Sequence, residues 1–84
     1  MNIKFTKHAE EKFGVLGRHG VKISTGQVLN TIKNPNKLDY TRKPLIIAQS
    51  AFDKRRVLRV VYKIEKNVIL VITFYPGRKS QYEK

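Results

Sequence analysis

The sequence predicts an α+β fold of order β-α-α-β-β-β-β, with two helices packed on one face of a twisted antiparallel sheet. Three observations predict it. Before Lys37, two stretches carry apolar residues at helical spacing, and each opens on a capping residue. From Lys37 onward, Val, Ile, Tyr, Phe and Thr dominate, and polar turn residues divide them into strand-length runs. The two longest runs, at about 56–64 and 67–75, are nearly continuous in apolar character, which implies a sheet centre covered at least partly on both faces. Eighty-four residues provide one modest core, so 1–84 reads as one domain.

Residues Asn2 to Phe5 alternate polar and apolar, as a short first strand does. Thr6 stands at an N-cap position, with Glu10 and Glu11 near the positive end of the helix dipole. Ala9, Phe13 and Leu16 form the buried stripe. Gly14, Gly17 and Gly20 weaken the later half, so the helix ends between Leu16 and Arg18. Residues Arg18 to Lys22 make a basic loop. Ser24-Thr25-Gly26-Gln27 fits a capping box, Val28, Leu29 and Ile32 supply an apolar face, and Asn34-Pro35 ends the second helix. Lys37 to Thr41 reads as a short strand, Arg42-Lys43-Pro44 as a turn, Leu45 to Phe52 as a strand and Asp53-Lys54-Arg55 as the next turn. Glu65, Lys66 and Asn67 join the two long strands, and Pro76-Gly77 stops the last one.

Alternation sorts the long strands into faces. Leu58, Val60, Tyr62 and Ile64, with Val68, Leu70, Ile72 and Phe74, are wholly apolar and should face the helices. Val57, Arg59, Val61 and Lys63, with Ile69, Val71, Thr73 and Tyr75, form a mixed second face that Gln49 can join. Lys54, Arg55, Arg56, Arg78 and Lys79 flank that face at its rim.

Charge narrows the partners. Eighteen Lys and Arg against six acids give a net charge of +12, which favours polyanions, RNA and DNA first or an acidic protein. The absence of cysteine excludes disulfides and thiolate metal sites and fits a cytoplasmic location. The longest apolar run, Val68 to Ile72, is strand-sized, so no membrane span is expected. The chain has no P-loop, no GxGxxG, no helix-borne His pair and no paired acids, and neither a metal nor a cofactor is expected. One reaction suits a basic, metal-free surface: cleavage of RNA through its own 2′-hydroxyl. The protein then has only to hold the phosphate in line, neutralise the phosphorane and move protons. Arginine suits the charge role because its fork matches phosphate oxygens.

Four segments resemble the RelE/ParE/BrnT superfamily of small toxins, most closely its compact, uncharacterised branch. They are Phe5-Thr6-Lys7-His8-Ala9, Val28 through Asn34-Pro35, Leu58-Arg59-Val60-Val61-Tyr62, and Val71-Ile72-Thr73-Phe74-Tyr75-Pro76 with Arg78. The resemblance spans nearly the whole chain. It implies a metal-independent endoribonuclease acting on free or ribosome-associated RNA and neutralised by an acidic antitoxin protein. Arg59 then matches the strand arginine at the scissile phosphate, and Arg78 the second phosphate-neutralising arginine. Tyr75 or Tyr82 fills the tail-tyrosine role. His8 is a candidate proton acceptor, and Lys54 a candidate for the lysine part. Lys54, Arg55, Arg56, Lys63, Lys79 and Tyr82 are the RNA-contact candidates. The chain departs from the superfamily pattern in showing no obvious C-terminal helix and no cluster of lysines on a middle strand.

Each candidate also has a plainer reading. Arg59 can be an exposed strand residue paired to an acid, Arg78 and Lys79 a solvated tail, Tyr75 a packing residue, His8 a capping residue and Lys54-Arg55-Arg56 a charged turn. The alternative function is a non-catalytic, basic nucleic-acid-binding or regulatory module. A third reading makes the mixed face a partner interface filled by an acidic segment.

Overall fold

The computed structural model describes residues 2–83. The elements are β1 (Asn2–Phe5), α1 (Lys7–Arg18), α2 (Thr25–Lys33), β2 (Lys37–Asp39), β3 (Ile46–Ala51), β4 (Arg56–Glu65), β5 (Val68–Arg78) and α3 (Lys79–Tyr82). The fold is α+β: one five-stranded sheet in the order β1-β5-β4-β3-β2, and three helices.

Local chemistry sets the helix boundaries. Thr6 Oγ1 accepts from the Ala9 amide at 3.1 Å and donates to the Ile72 carbonyl at 3.1 Å, so the α1 cap is also tied to β5. At α2 both halves of the capping box form: the Gln27 amide donates to Ser24 Oγ at 3.1 Å, and the Ser24 amide donates to Gln27 Oε1 at 2.8 Å. Asn34, just before Pro35, caps the C-terminus of α2. Lys66 and Asn67 take φ values of 48° and 64°, the double left-handed geometry of a two-residue hairpin turn.

The core lies between the helices and one sheet face. Ala9, Val28 and Ile32 from the helices meet Ala48, Leu58, Val60, Tyr62, Val71 and Phe74 from the sheet. Phe13 sits between Phe5 and Phe74, with ring centroids 5.9 and 4.5 Å away. Phe74, Leu58, Val60 and Val71 are fully buried, and truncating such a phenylalanine to alanine costs about 3–5 kcal/mol. Thr31, the buried polar residue of α2, donates to the Gln27 carbonyl and pairs with Ser50 Oγ at 2.6 Å.

The structure departs from the expected strands in four places. The sheet is mixed, not antiparallel: β1 runs parallel to β5, Ile3 against Ile69 and Phe5 against Val71. A β-bulge on β5 then shifts the register, so that Val61 faces Thr73 while Tyr62 faces Val71. One extra residue inverts the alternation beyond that point. Val71 and Ile69 therefore pack into the helix-side core, whereas Val68, Leu70 and Ile72 do not join it. β5 also runs through Pro76 and Gly77, since β1 pairs only with residues up to Val71 and leaves that end of β5 a sheet edge, where proline is tolerated. Finally, β2 stops at Asp39, because Asp39 Oδ1 accepts from the Thr41 amide and hydroxyl and bends the chain away.

Candidate functional site

Arg59 occupies the middle of β4, on the sheet face opposite α1 and α2. Its register partners are Gln49 on β3 and Tyr75 on β5, so the three side chains line up across the sheet. Arg59 Nη1 donates to Gln49 Oε1 at 2.6 Å, and Nε donates to the Tyr75 hydroxyl at 3.2 Å. Nη2 lies 3.8 Å from Asp39 Oδ2, and the Tyr82 ring stacks over Cζ with its centroid at 4.1 Å. Only 7% of Arg59 is exposed, so it is not the open strand residue of its plainer reading. Enclosing a guanidinium costs several kcal/mol unless hydrogen bonds and charge offset it, and these four contacts do so. A guanidinium carries five N–H donors. Among the described residues two of them are hydrogen-bonded, which leaves three without a hydrogen-bond acceptor.

A cavity of about 520 Å³ lies against this centre, lined by Lys37, Asp39, Arg42, Ile47, Arg59, Tyr75 and Tyr82 among others. The hydroxyl and amide of Thr41 hold the Asp39 carboxyl below its ordinary value, and Arg59 and Arg42 add to that against partial desolvation. Asp39 therefore stays ionised beside the arginine.

Tyr82 reaches Arg59 through α3, the short C-terminal helix that the sequence does not announce. The Lys79 amide donates to the Arg55 carbonyl at 2.9 Å, and Lys37 Nζ to the Tyr82 carbonyl at 3.4 Å. The ring rests on Gly77, where a Cβ would come within 2.7 Å of Tyr82 Cδ2. Glycine is needed there for space.

A second, larger concavity of about 960 Å³ is bordered by the first residues of α3, Lys79 and Ser80. Lys54, Arg55, Arg56, Arg78 and Lys79 line it, with Asp53 and Ser80. Arg56 and Arg78 are direct cross-strand partners, a like-charge juxtaposition that is unfavourable without a counter-anion. Asp53 partly supplies one. Its Oδ2 accepts from Arg56 Nε and Nη2, each at 2.8 Å, while Oδ1 accepts from the Arg55 and Arg56 amides. These bonds, led by the Arg56 side chain, keep the Asp53 carboxyl below its ordinary value. Arg56, which also lies 5.0 Å over the Phe52 ring, is thereby fixed in place; of the expected RNA contacts here, Lys54, Arg55 and Lys79 have no such clamp among the described residues.

The structure thus gathers Arg59, Tyr75 and Tyr82 at one centre and Lys54, Arg55, Arg56, Arg78 and Lys79 at another, with α3 as the shared wall. Two expected residues stand apart. Lys63 is four residues along β4 from Arg59, roughly 13 Å at strand rise, and pairs with Glu65 at 2.7 Å. His8 is exposed, with Nε2 3.2 Å from Thr73 Oγ1, and it lines neither concavity. Sequence reasoning missed Asp39 and the support Gly77 gives to Tyr82. Both depend on chain segments that meet only in the fold.

Among the described residues no cluster of His, Asp and Glu could hold a metal ion, and no helix is long and apolar enough to cross a membrane. Comparison with protein-family models, with curated proteins and with solved structures yields no match to this chain.

Proposed function

We propose that this chain is a RelE/BrnT-like toxin: a metal-independent endoribonuclease that cuts RNA through its 2′-hydroxyl and is held in check by an acidic antitoxin. One observation carries the reading. A buried arginine, with N–H donors beyond the two held by Gln49 and Tyr75 and with Asp39 3.8 Å from Nη2, lines a cavity, and that cavity shares a wall with a groove of five cations facing one carboxylate. The groove holds phosphates of the RNA backbone on either side of the cut. At the scissile phosphate the 2′-oxygen forms a new bond to phosphorus as the bond to the 5′-oxygen breaks, leaving a 2′,3′-cyclic phosphate and a 5′-hydroxyl. Arg59 neutralises the charge that develops on the phosphorane oxygens. Tyr75 accepts a hydrogen bond from Arg59 Nε, so its own O–H proton remains available to the departing 5′-oxygen. The 2′-hydroxyl proton leaves to water, because His8, the expected acceptor, sits on α1 beside Thr73 and lines neither concavity. The order of helices and strands and the short C-terminal helix support the RelE-like assignment.

The test uses purified protein, a single-stranded oligoribonucleotide and its all-deoxy counterpart. The ribose strand is cut and the deoxy strand is bound intact; cutting of both strands, or of neither, rejects the mechanism.

A specific observation favours a second reading, a non-catalytic RNA-binding module. Arg59 already spends two donors inside the protein and lies under Tyr82. This reading expects salt-sensitive RNA binding that survives substitution of Arg59, with no cleavage.

A further inference from the structure

We propose that Tyr82 is a gate over Arg59, opened by phosphates that occupy the neighbouring basic groove. The inference rests on the RNA-cleavage reading and assigns that site its control. Its starting point is α3, a single helical turn whose two ends do different things. Lys79 and Ser80 line the groove, while Gln81 and Tyr82 line the Arg59 cavity. A displacement at the first pair is carried directly to the second, because one turn of helix moves as a body.

The closed position is held lightly. Tyr82 stacks on the guanidinium at 4.1 Å, lies on Gly77 and is tethered through its carbonyl by Lys37 at 3.4 Å. No side chain caps the α3 N-terminus, and the Lys79 amide reaches only to the Arg55 carbonyl. The groove, in contrast, carries repulsion that is only partly relieved: Arg56 and Arg78 face each other directly, with Arg55 and Lys79 alongside and Asp53 committed to Arg56. Backbone phosphates seated there neutralise that charge and engage Lys79. This draws the start of α3 toward the groove and lifts the Tyr82 ring from Arg59. The Arg59 donors that Gln49 and Tyr75 do not hold then become available to the scissile phosphate, so the arginine is unveiled where RNA is already bound. Free phosphate, too small to span the groove, leaves the gate shut.

Gly77 provides a way to open the gate without touching Arg59. Its φ lies outside the left-handed region, so the Gly77→Ala backbone is unstrained, but the new Cβ collides with the Tyr82 ring. Tyr82→Ala removes the ring without a collision and guards against a folding defect in the first variant. The readout is the Nε–H resonance of Arg59 in nitrogen-15-labelled protein, beside those of Arg55 and Arg78.

In the free wild type the Arg59 signal carries a ring-current shift that Tyr82→Ala abolishes; an unchanged signal overturns the cap. Inorganic phosphate moves the Arg59 signal with about 10-fold higher affinity in both variants than in the wild type, the scale of a desolvated cation–π contact. Equal affinities in all three proteins overturn the gate. A single-stranded oligodeoxynucleotide, which binds without being cut, moves the wild-type Arg55 and Arg78 signals, and Arg59 follows in step toward its Gly77→Ala position. Saturation of the groove with Arg59 unmoved overturns the coupling. If no groove signal moves, the RNA reading fails and the coupling with it, while the phosphate comparison still decides whether Tyr82 is a cap.

Discussion

Replacing Arg59 with alanine is expected to lower stability measurably as well as to remove the proposed chemistry. The guanidinium is 7% exposed, and its partner Gln49 is 2% exposed. Truncation strands Gln49 Oε1 without its 2.6 Å donor, and an unsatisfied buried acceptor costs about 1–3 kcal/mol. Loss of the Tyr82 stack adds about 0.5–2 kcal/mol. The Asp39 pair adds little, because that carboxylate keeps 27% of its side-chain surface exposed and is screened by solvent. Against these losses stands the relief of no longer burying a charge. The net expectation is about 2–3 kcal/mol, a melting temperature lower by roughly 10–20 °C for a domain of this size. Urea denaturation measures it as a lower midpoint at unchanged slope. Arg59→Lys keeps the charge but not the fork and should lose less. The double variant Arg59→Met with Gln49→Met, which removes both hydrogen-bonding partners, should recover part of the loss. An Arg59→Ala protein within about 0.5 kcal/mol of wild type, the range of an ordinary surface change, would refute the reasoning, because the network would then hold nothing in place.

The same contacts set other expectations. Asp39 and Asp53 titrate below their ordinary value of 3.8, so the unfolded chain takes up protons first as pH falls. Their contribution is fully present above that value and is lost as pH drops through the lower native ones; acid titration of the melting temperature should show a shallower limb in Asp39→Asn. In the groove, Arg78→Ala should weaken RNA binding across sequences and reduce the slope of log affinity against log salt by about 0.7, measured by fluorescence anisotropy. At the β4–β5 turn, Lys66 holds φ 48°, a strain that glycine does not carry. Lys66→Gly should therefore cost nothing or stabilise by up to about 1 kcal/mol in urea melts.

The parts of this fold legible in the sequence are those governed by near neighbours. Thr6 and Ser24 act on amides three residues away, and Pro35 acts on the residue before it, so the helix ends are local problems. Period-two alternation likewise put Gln49, Arg59 and Tyr75 on one face, where the structure aligns them in register. The bulge opposite Val61 and Tyr62 is different, because an inserted residue leaves no mark on either strand read alone. The parallel pairing of β1 with β5 brings residues near 2–5 against 68–71, a long-range choice that no local pattern records. Asp39 reaches Arg59 from β2, which lies beyond β3 in the sheet, so their meeting depends on the register of two strand pairs. Lys79 to Tyr82 carries no apolar period; what places it is the flat surface at Gly77 and the guanidinium beneath the ring.

The most direct test of the catalytic assignment is the chemistry of the product ends. Purified protein and Arg59→Lys, both folded by circular dichroism, are incubated with a single-stranded oligoribonucleotide in excess EDTA, and the fragments are weighed by mass spectrometry. Fragments ending in 2′,3′-cyclic phosphate and beginning with a 5′-hydroxyl, formed by the wild type and strongly reduced in Arg59→Lys, are the predicted result. Intact RNA, or equal cleavage by both proteins, would contradict it.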